Sequence, residues 1–172
     1  MMATPRPKEF FNIYSFKVEF FESLESGGAD NPKYEAAFNE LDGLELTMEP
    51  KTIREGGNNM RQIHLAGTYS YAQLSLKRGM SRDVSLWRWF QQVMSSGGRG
   101  IRYDARITMQ SSAIGHGEDA ERKPNMIFKV YRCLPTRVRA PAFNALEGTI
   151  AIEEMTLVYE AFDVDLPKAE GA

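Results

Sequence analysis

RQIHLAGTYSYAQLSLKRGMSRDVSLWRWFQQVMSSGG, residues 61–98, changes its hydrophobic period part-way, and that change decides the fold. From Thr68 to Lys77 apolar and polar residues alternate, with Tyr69, Tyr71, Leu74 and Leu76 at the apolar positions. Period two is the pattern of a half-buried strand. The parity switches at Ala72-Gln73, which predicts a bulge or a change of face. After Ser81 the spacing becomes i, i+3, i+4. Val84, Leu86, Trp87, Phe90, Val93 and Met94 form a stripe that predicts one helix, over about residues 82–96, packed on a sheet. Ser81 is placed to cap it, Asp83 falls in its first turn where the dipole favours an acid, and Gly97-Gly98 ends it.

Outward from this stretch the chain reads as strands. Phe16, Val18 and Phe20 alternate with Lys17 and Glu19; Leu44, Leu46 and Met48 alternate with Glu45, Thr47 and Glu49. Arg61–Leu65 predicts a return strand, which makes an extended hairpin around the polar connection 50–60. Phe38–Leu41, Arg102–Met109, Met126–Cys133 and Thr149–Phe162 complete the set, the last with a slip expected at Glu153-Glu154. Pro135 and Pro141 bracket Thr136–Ala140. Residues 22–37 and 111–125 read as loops or insertions. A Pro-containing arm (1–9), one domain (10–162) and a flexible tail (163–172) are the expected organisation. Many strands and a single helix predict a mostly-β domain, a small barrel or tight sandwich that hides its sheet edges.

The 172 residues suffice for one domain with a real core. No apolar run reaches the roughly 18 residues of a membrane-spanning helix. The N-terminus lacks the apolar region of a secretory signal, so neither is expected. Charge is segregated along the chain. Residues 1–60 carry 6 Lys/Arg against 11 Asp/Glu, residues 61–139 carry 14 against 5, and residues 140–172 carry 1 against 7. In one folded domain these segments share a surface, which reads as a mixed-sign face or as self-complementarity between copies. A nucleic-acid footprint is the third reading.

Chemistry-bearing residues are sparse. The single cysteine, Cys133, excludes an intramolecular disulfide and a multi-cysteine zinc site, and reads as a small buried hydrophobe. His64 sits in a strand away from any acidic cluster. His116, in Gly115-His116-Gly117-Glu118-Asp119, is a weak metal motif. Glu153 and Glu154 are adjacent and face opposite sides of a regular strand. The EGGNN stretch lacks the Lys-Ser/Thr of a phosphate loop. Trp87, Trp89 and Phe90 read as core and interface residues rather than a ligand platform. The sequence therefore predicts no catalytic, cofactor or metal site.

Four segments in this order carry a resemblance: YSFKVEF (14–20), TIREGGNN (52–59), residues 61–90, and RAPAFNALEGTIAIEEMTLVYEAF (139–162). The most specific parts are Leu76-Lys77-Arg78-Gly79-Met80 followed by Leu86-Trp87-Arg88-Trp89, and Pro141-Ala142-Phe143-Asn144-Ala145. The chain resembles the inner tail-tube proteins of T4-like contractile phage tails and of extracellular contractile injection systems, whose fold the Hcp proteins of type VI secretion share. Residues 22–37 and 111–125 are longer than the family pattern. Arg132-Cys133-Leu134-Pro135 stands where an Ala-Trp-Pro-like step is usual.

The resemblance implies a small β-barrel with one flanking helix, six copies to a ring and rings stacked into a hollow tube that sheath contraction propels. It implies no catalysis, no cofactor and no small-molecule ligand. Implied partners are further copies, sheath subunits, baseplate and cap or terminator proteins, and cargo effector or phage DNA in the lumen. Synthesis and assembly are expected in the cytoplasm, before incorporation into a phage tail or an injection particle, free or membrane-anchored. It also implies inter-ring contacts from Ile53, Arg54, Glu55, Gly56, Gly57, Asn58 and Asn59. A tube-initiating paralogue at the baseplate is the alternative. From another class, a small β-barrel ligand-binding protein would use residues 110–125 and His116.

Overall fold

Period-two patterning is realised as twelve strands, with one helix, among the described residues: β1 (Ser15–Phe21), β2 (Tyr34–Ala37), β3 (Glu40–Asp42), β4 (Leu46–Met48), β5 (Lys51–Ile53), β6 (Ile63–Leu65), β7 (Tyr69–Tyr71), β8 (Leu74–Gly79), α1 (Ser85–Ser95), β9 (Tyr103–Gln110), β10 (Pro124–Arg139), β11 (Ile152–Val158) and β12 (Ala161–Asp165). The structure is a computed structural model that describes residues 15–24, 31–54, 61–97, 100–110, 124–143 and 150–165.

The main sheet runs β2-β1-β9-β10-β11-β8-β3, with β12 paired to β10 off this path. Its ladders are antiparallel. The 16-residue β10 organises it. Its first half lies between β9 and β12, and its second half pairs with β11. The register shifts between Val130 and Cys133, where Arg132 adopts a positive φ of 55°. That bulge turns the strand from one half of the sheet into the other. The path ends on β2 and β3, which follow one another in sequence through Phe38 and Asn39 without a ladder between them. The expected barrel is therefore curled but not closed.

The core fills the curl. Val18, Phe20, Leu74, Leu76, Ala105, Val130, Cys133 and Leu157 are fully buried, as alternate residues on inward faces must be. Helix α1 covers this interior. Trp89 is fully buried, 5.2 Å from the ring of Phe20 and 5.0 Å from Tyr103, and its indole N–H donates to the Ile101 carbonyl at 2.9 Å. Leu86 is buried beside it, and Trp87, Phe90 and Val93 are half-buried. Val84 and Met94, expected in the same stripe, are exposed. The stripe is centred on Leu86 and Trp89, so the two residues at its margins turn to solvent.

Other expectations are corrected in the same way. The helix starts at Ser85, not near 82, and Ser81 does not cap it. The N-cap is Val84, with no side-chain cap bond; Asp83, just outside it, accepts from the Ser85 amide at 3.0 Å. Residues 34–37, read as loop, pair with β1 because Ala36 reaches the core. Pro135 lies inside β10, tolerated at a second register shift before Arg137. Residues 163–165, read as tail, belong to β12. No slip occurs at Glu153-Glu154: the β8–β11 register is continuous through both. The parity changes because a buried carboxylate, Glu153, occupies an inward position before Met155 and Leu157. The break at Ala72-Gln73 is where expected, between β7 and β8.

Topology also absorbs the charge segregation. The basic middle strands lie beside the acidic first and last ones. Arg106 pairs with Glu19 (3.0 Å), Lys77 with Glu40 (2.7 Å), Arg102 and Arg132 with Glu160 (3.2 and 2.9 Å), and Lys129 with Asp165. The result is a mixed-sign surface.

Candidate assembly surface

The extended hairpin leaves the body as a two-stranded ribbon. Its root is fixed by Gly43, whose φ of +98° needs a glycine, and whose backbone comes so close to Gln73 that a Cβ would stand 1.9 Å from the Gln73 carbonyl oxygen. The Tyr159 hydroxyl donates to the Gly43 carbonyl at 2.9 Å. Tyr71 packs on Tyr159 and Phe162, with ring centroids 5.4 and 6.1 Å away. Beyond this anchor the ribbon is two short ladders, β4–β7 and β5–β6.

Each ladder has one apolar face. Leu46 lies opposite Tyr71 and Met48 opposite Tyr69; Ile53 lies opposite Ile63, and Leu65 opposite Lys51. Every residue of these four strands is exposed, Leu46 at 48% and Tyr69 at 57%. Beyond the Tyr71 anchor, large apolar side chains stay about half exposed on an ordered ribbon, the kind of patch that marks contact with another molecule. Ile53 and Arg54 stand on this ribbon. Glu55, Gly56, Gly57, Asn58 and Asn59 lie outside the described residues. Sequence patterning found the strands but not this surface, because period two reads the same whether a face is covered by its own core or by a second chain.

A second feature locks the body where α1 begins. Arg78 and Glu153 are buried and bonded, Nε to Oε1. The remaining Arg78 donors reach the Asp83 carboxylate (3.1 Å) and carbonyl (2.8 Å), and the Trp87 indole N–H donates to Glu153 Oε2 at 2.8 Å. Burial alone pushes the Asp83 carboxyl up, but bonds from the Ser85 hydroxyl and amide and from Arg78 outweigh it and hold Asp83 below its ordinary value. No buried side-chain polar atom lacks a partner among the described residues.

The other residues singled out in the sequence form no reactive constellation among the described residues. His64 meets the Thr52 hydroxyl at 3.2 Å on the polar ribbon face, and His116 lies outside the described residues. Burial pushes the Cys133 thiol up to about 12, far from a nucleophile's range. An open groove of about 630 Å³ at the C-terminal end of α1 holds Glu22, Lys33, Arg102 and Tyr103. Lys33 is ion-paired to Glu22, and burial pushes the Tyr103 phenol up to about 12. No cluster of three metal-ligating side chains occurs among the described residues.

An uncovered apolar ribbon on an otherwise satisfied β fold is an assembly feature, and comparison with known families agrees. The model of the T4-like virus tail tube protein gp19 family matches residues 12–163. The chain belongs to that family. This tail-tube protein is therefore a structural protein of tubes. It is similar to a chain of the anti-feeding prophage (AFP) baseplate, 6-fold symmetrised, at 24% identity and a TM-score of 0.70, over 98% of this chain and 100% of that one. It is similar to a chain of the sheath/tube terminator of the extracellular contractile injection system PVC, at 19% identity and a TM-score of 0.73, over 92% and 99%. A crystal structure of Hcp protein matches at 9% identity and a TM-score of 0.51, over 88% and 99%. At these identities the likeness is one of fold. No curated relative matches the sequence. No helix among the described residues of this tail-tube protein is long and apolar enough to cross a membrane.

Proposed function

We propose that this chain is the inner-tube subunit of a contractile phage tail or injection system. Six copies form a ring, rings stack into a hollow tube, and sheath contraction drives that tube, with its cargo, through a target envelope. The observation that carries this reading is the ribbon: ordered ladders whose apolar faces the chain's own core leaves bare. A ring needs one heterologous contact that closes and a stack needs another that does not, both from surfaces of one sequence. Ile53 and Arg54 of the ribbon, together with residues 55–59, supply inter-ring contacts. Sheath, baseplate and cap proteins are the partners. The protein turns over no substrate and holds no cofactor. It is made in the cytoplasm and works inside a particle.

Negative-stain electron microscopy of the purified protein, with light-scattering mass on the same sample, tests this. Six-fold rings or stacked tubes are expected. A strict monomer up to millimolar concentration, even with a baseplate template present, overturns it. A chain that adds a single ring to that template and no tube is the initiator.

A further inference from the structure

Asp104 is a buried carboxylate near the start of β9. Both of its oxygens accept from backbone: Oδ1 from the Arg132 amide and Oδ2 from the Leu24 amide, each at 2.8 Å. A carboxamide in its place would have one accepting oxygen and would turn its NH2 group toward the second N–H.

Arg132 is where the main sheet bends. It is the one non-glycine residue of positive φ among the described residues, and β10 shifts register around it. The neighbouring strand breaks at the same level. β11 ends at Val158, β12 begins at Ala161, and the Glu160 amide between them donates to the Tyr131 carbonyl at 3.1 Å. Arg102 donates to the Arg132 carbonyl at 3.2 Å, and Arg102 and Arg132 both pair with Glu160. Arg132 and Glu160 are exposed and Arg102 is half-buried, so water competes for their bonds. Asp104 alone of the four is buried. A left-handed φ is unfavourable for any residue with a side chain. A charge-assisted bond to the amide of that same residue, away from water, offsets the cost.

We infer that Asp104 is the positioning residue of this bend: it holds Arg132 left-handed and so sets the curl at which copies close into a ring. A ring closes only when the rotation from each copy to the next divides a full turn. That rotation follows the shape of the subunit, so a bend that relaxes leaves open arcs or rings of another count. The ring half of the inference rests on the tube reading; the bend rests on the bonds.

Full-length Asp104→Asn, Arg132→Gly and the double variant test it. Amide exchange, followed by NMR on the unassembled subunit, is expected to speed up at Arg132 in Asp104→Asn by about ten- to hundredfold, the worth of a bond to a charged group. Glycine adopts the same φ freely, so the loss of urea midpoint caused by Asp104→Asn is expected to shrink by about half or more in the Arg132→Gly background. In negative stain, folded Asp104→Asn is expected to give arcs or rings away from the six-fold count. Val18→Ala, a core change outside the bend, is expected to lower the midpoint and keep six-fold rings. Should Asp104→Asn not fold, Asp104→Glu, which keeps the carboxylate and displaces it by one methylene, takes its place in all three readings with the same expected directions. Unchanged exchange at Arg132, an equal loss of midpoint in both backgrounds, or unaltered six-fold rings from the folded Asp104 variant overturn the inference. Absence of rings and tubes from the unaltered chain overturns the tube reading, and exchange and the double-variant comparison still decide the bend.

Discussion

Arg78 and Glu153 face each other across β8 and β11 as a buried ion pair, each side chain only 5% exposed. Neither charge has water to fall back on. Glu153→Gln leaves the guanidinium partly uncompensated and is expected to lower unfolding stability by about 3–5 kcal/mol, whereas Arg78→Met with Glu153→Leu costs less than either single change. Urea unfolding of the unassembled subunit, read as a midpoint shift at constant m, checks both.

The helix is held by one residue above all. Trp89→Ala removes a fully buried indole between Phe20 and Tyr103 and is expected to cost about 3–5 kcal/mol. Met94→Ala, at a position 64% exposed, is expected to stay within about 0.5 kcal/mol. The same urea titration separates them.

Stability is expected to fall in acid. Burial pushes the Glu19 carboxyl up, but Lys17 and Arg106 outweigh it, so Glu19, like Asp83, titrates below its ordinary value in the folded state. A depressed folded value contributes stability that is full above the unfolded value, roughly pH 4–4.5, and is lost as pH falls through the folded one. Melting temperature plotted from pH 6 to pH 2 should decline below about pH 4.5. Glu19→Gln and Asp83→Asn should each flatten that decline, since neither amide titrates.

Cys133 is expected to ignore thiol reagents in the folded chain and to react fully in denaturant, because burial both shields it and keeps it protonated. A colorimetric thiol count with and without urea reads this directly.

Gly43→Ala is expected to cost about 1–3 kcal/mol, since its φ is left-handed and the new Cβ would collide with the Gln73 carbonyl. Thermal unfolding measures the loss.

What the sequence discloses follows from what alternation encodes. Val18 and Phe20, or Leu74 and Leu76, report strands because their neighbours are polar, and Ala72-Gln73 reports a break because parity changes. Pro135 misleads because a proline signals an end unless a bulge removes the need for its N–H. Glu153 misleads because a buried ion pair puts a charge where the pattern expects an apolar residue. Trp89 reads as core or interface beside Trp87 and Phe90, but not as the centre of the helix stripe, because the spacing runs that stripe through Trp87. The ribbon is legible as an extended hairpin, and its exposure is not: Leu46 and Tyr69 are as apolar as any core residue, and only the path of the described residues shows that about half of each side chain's surface stays open.

Strand β10 has a mechanical consequence. Its first half is held by β9 and β12 and its second by β11, so one continuous backbone through Arg132 runs through both halves of the sheet, while a single core packs the two halves on each other. Load applied to either half is therefore shared with the other by a covalent path as well as by packing.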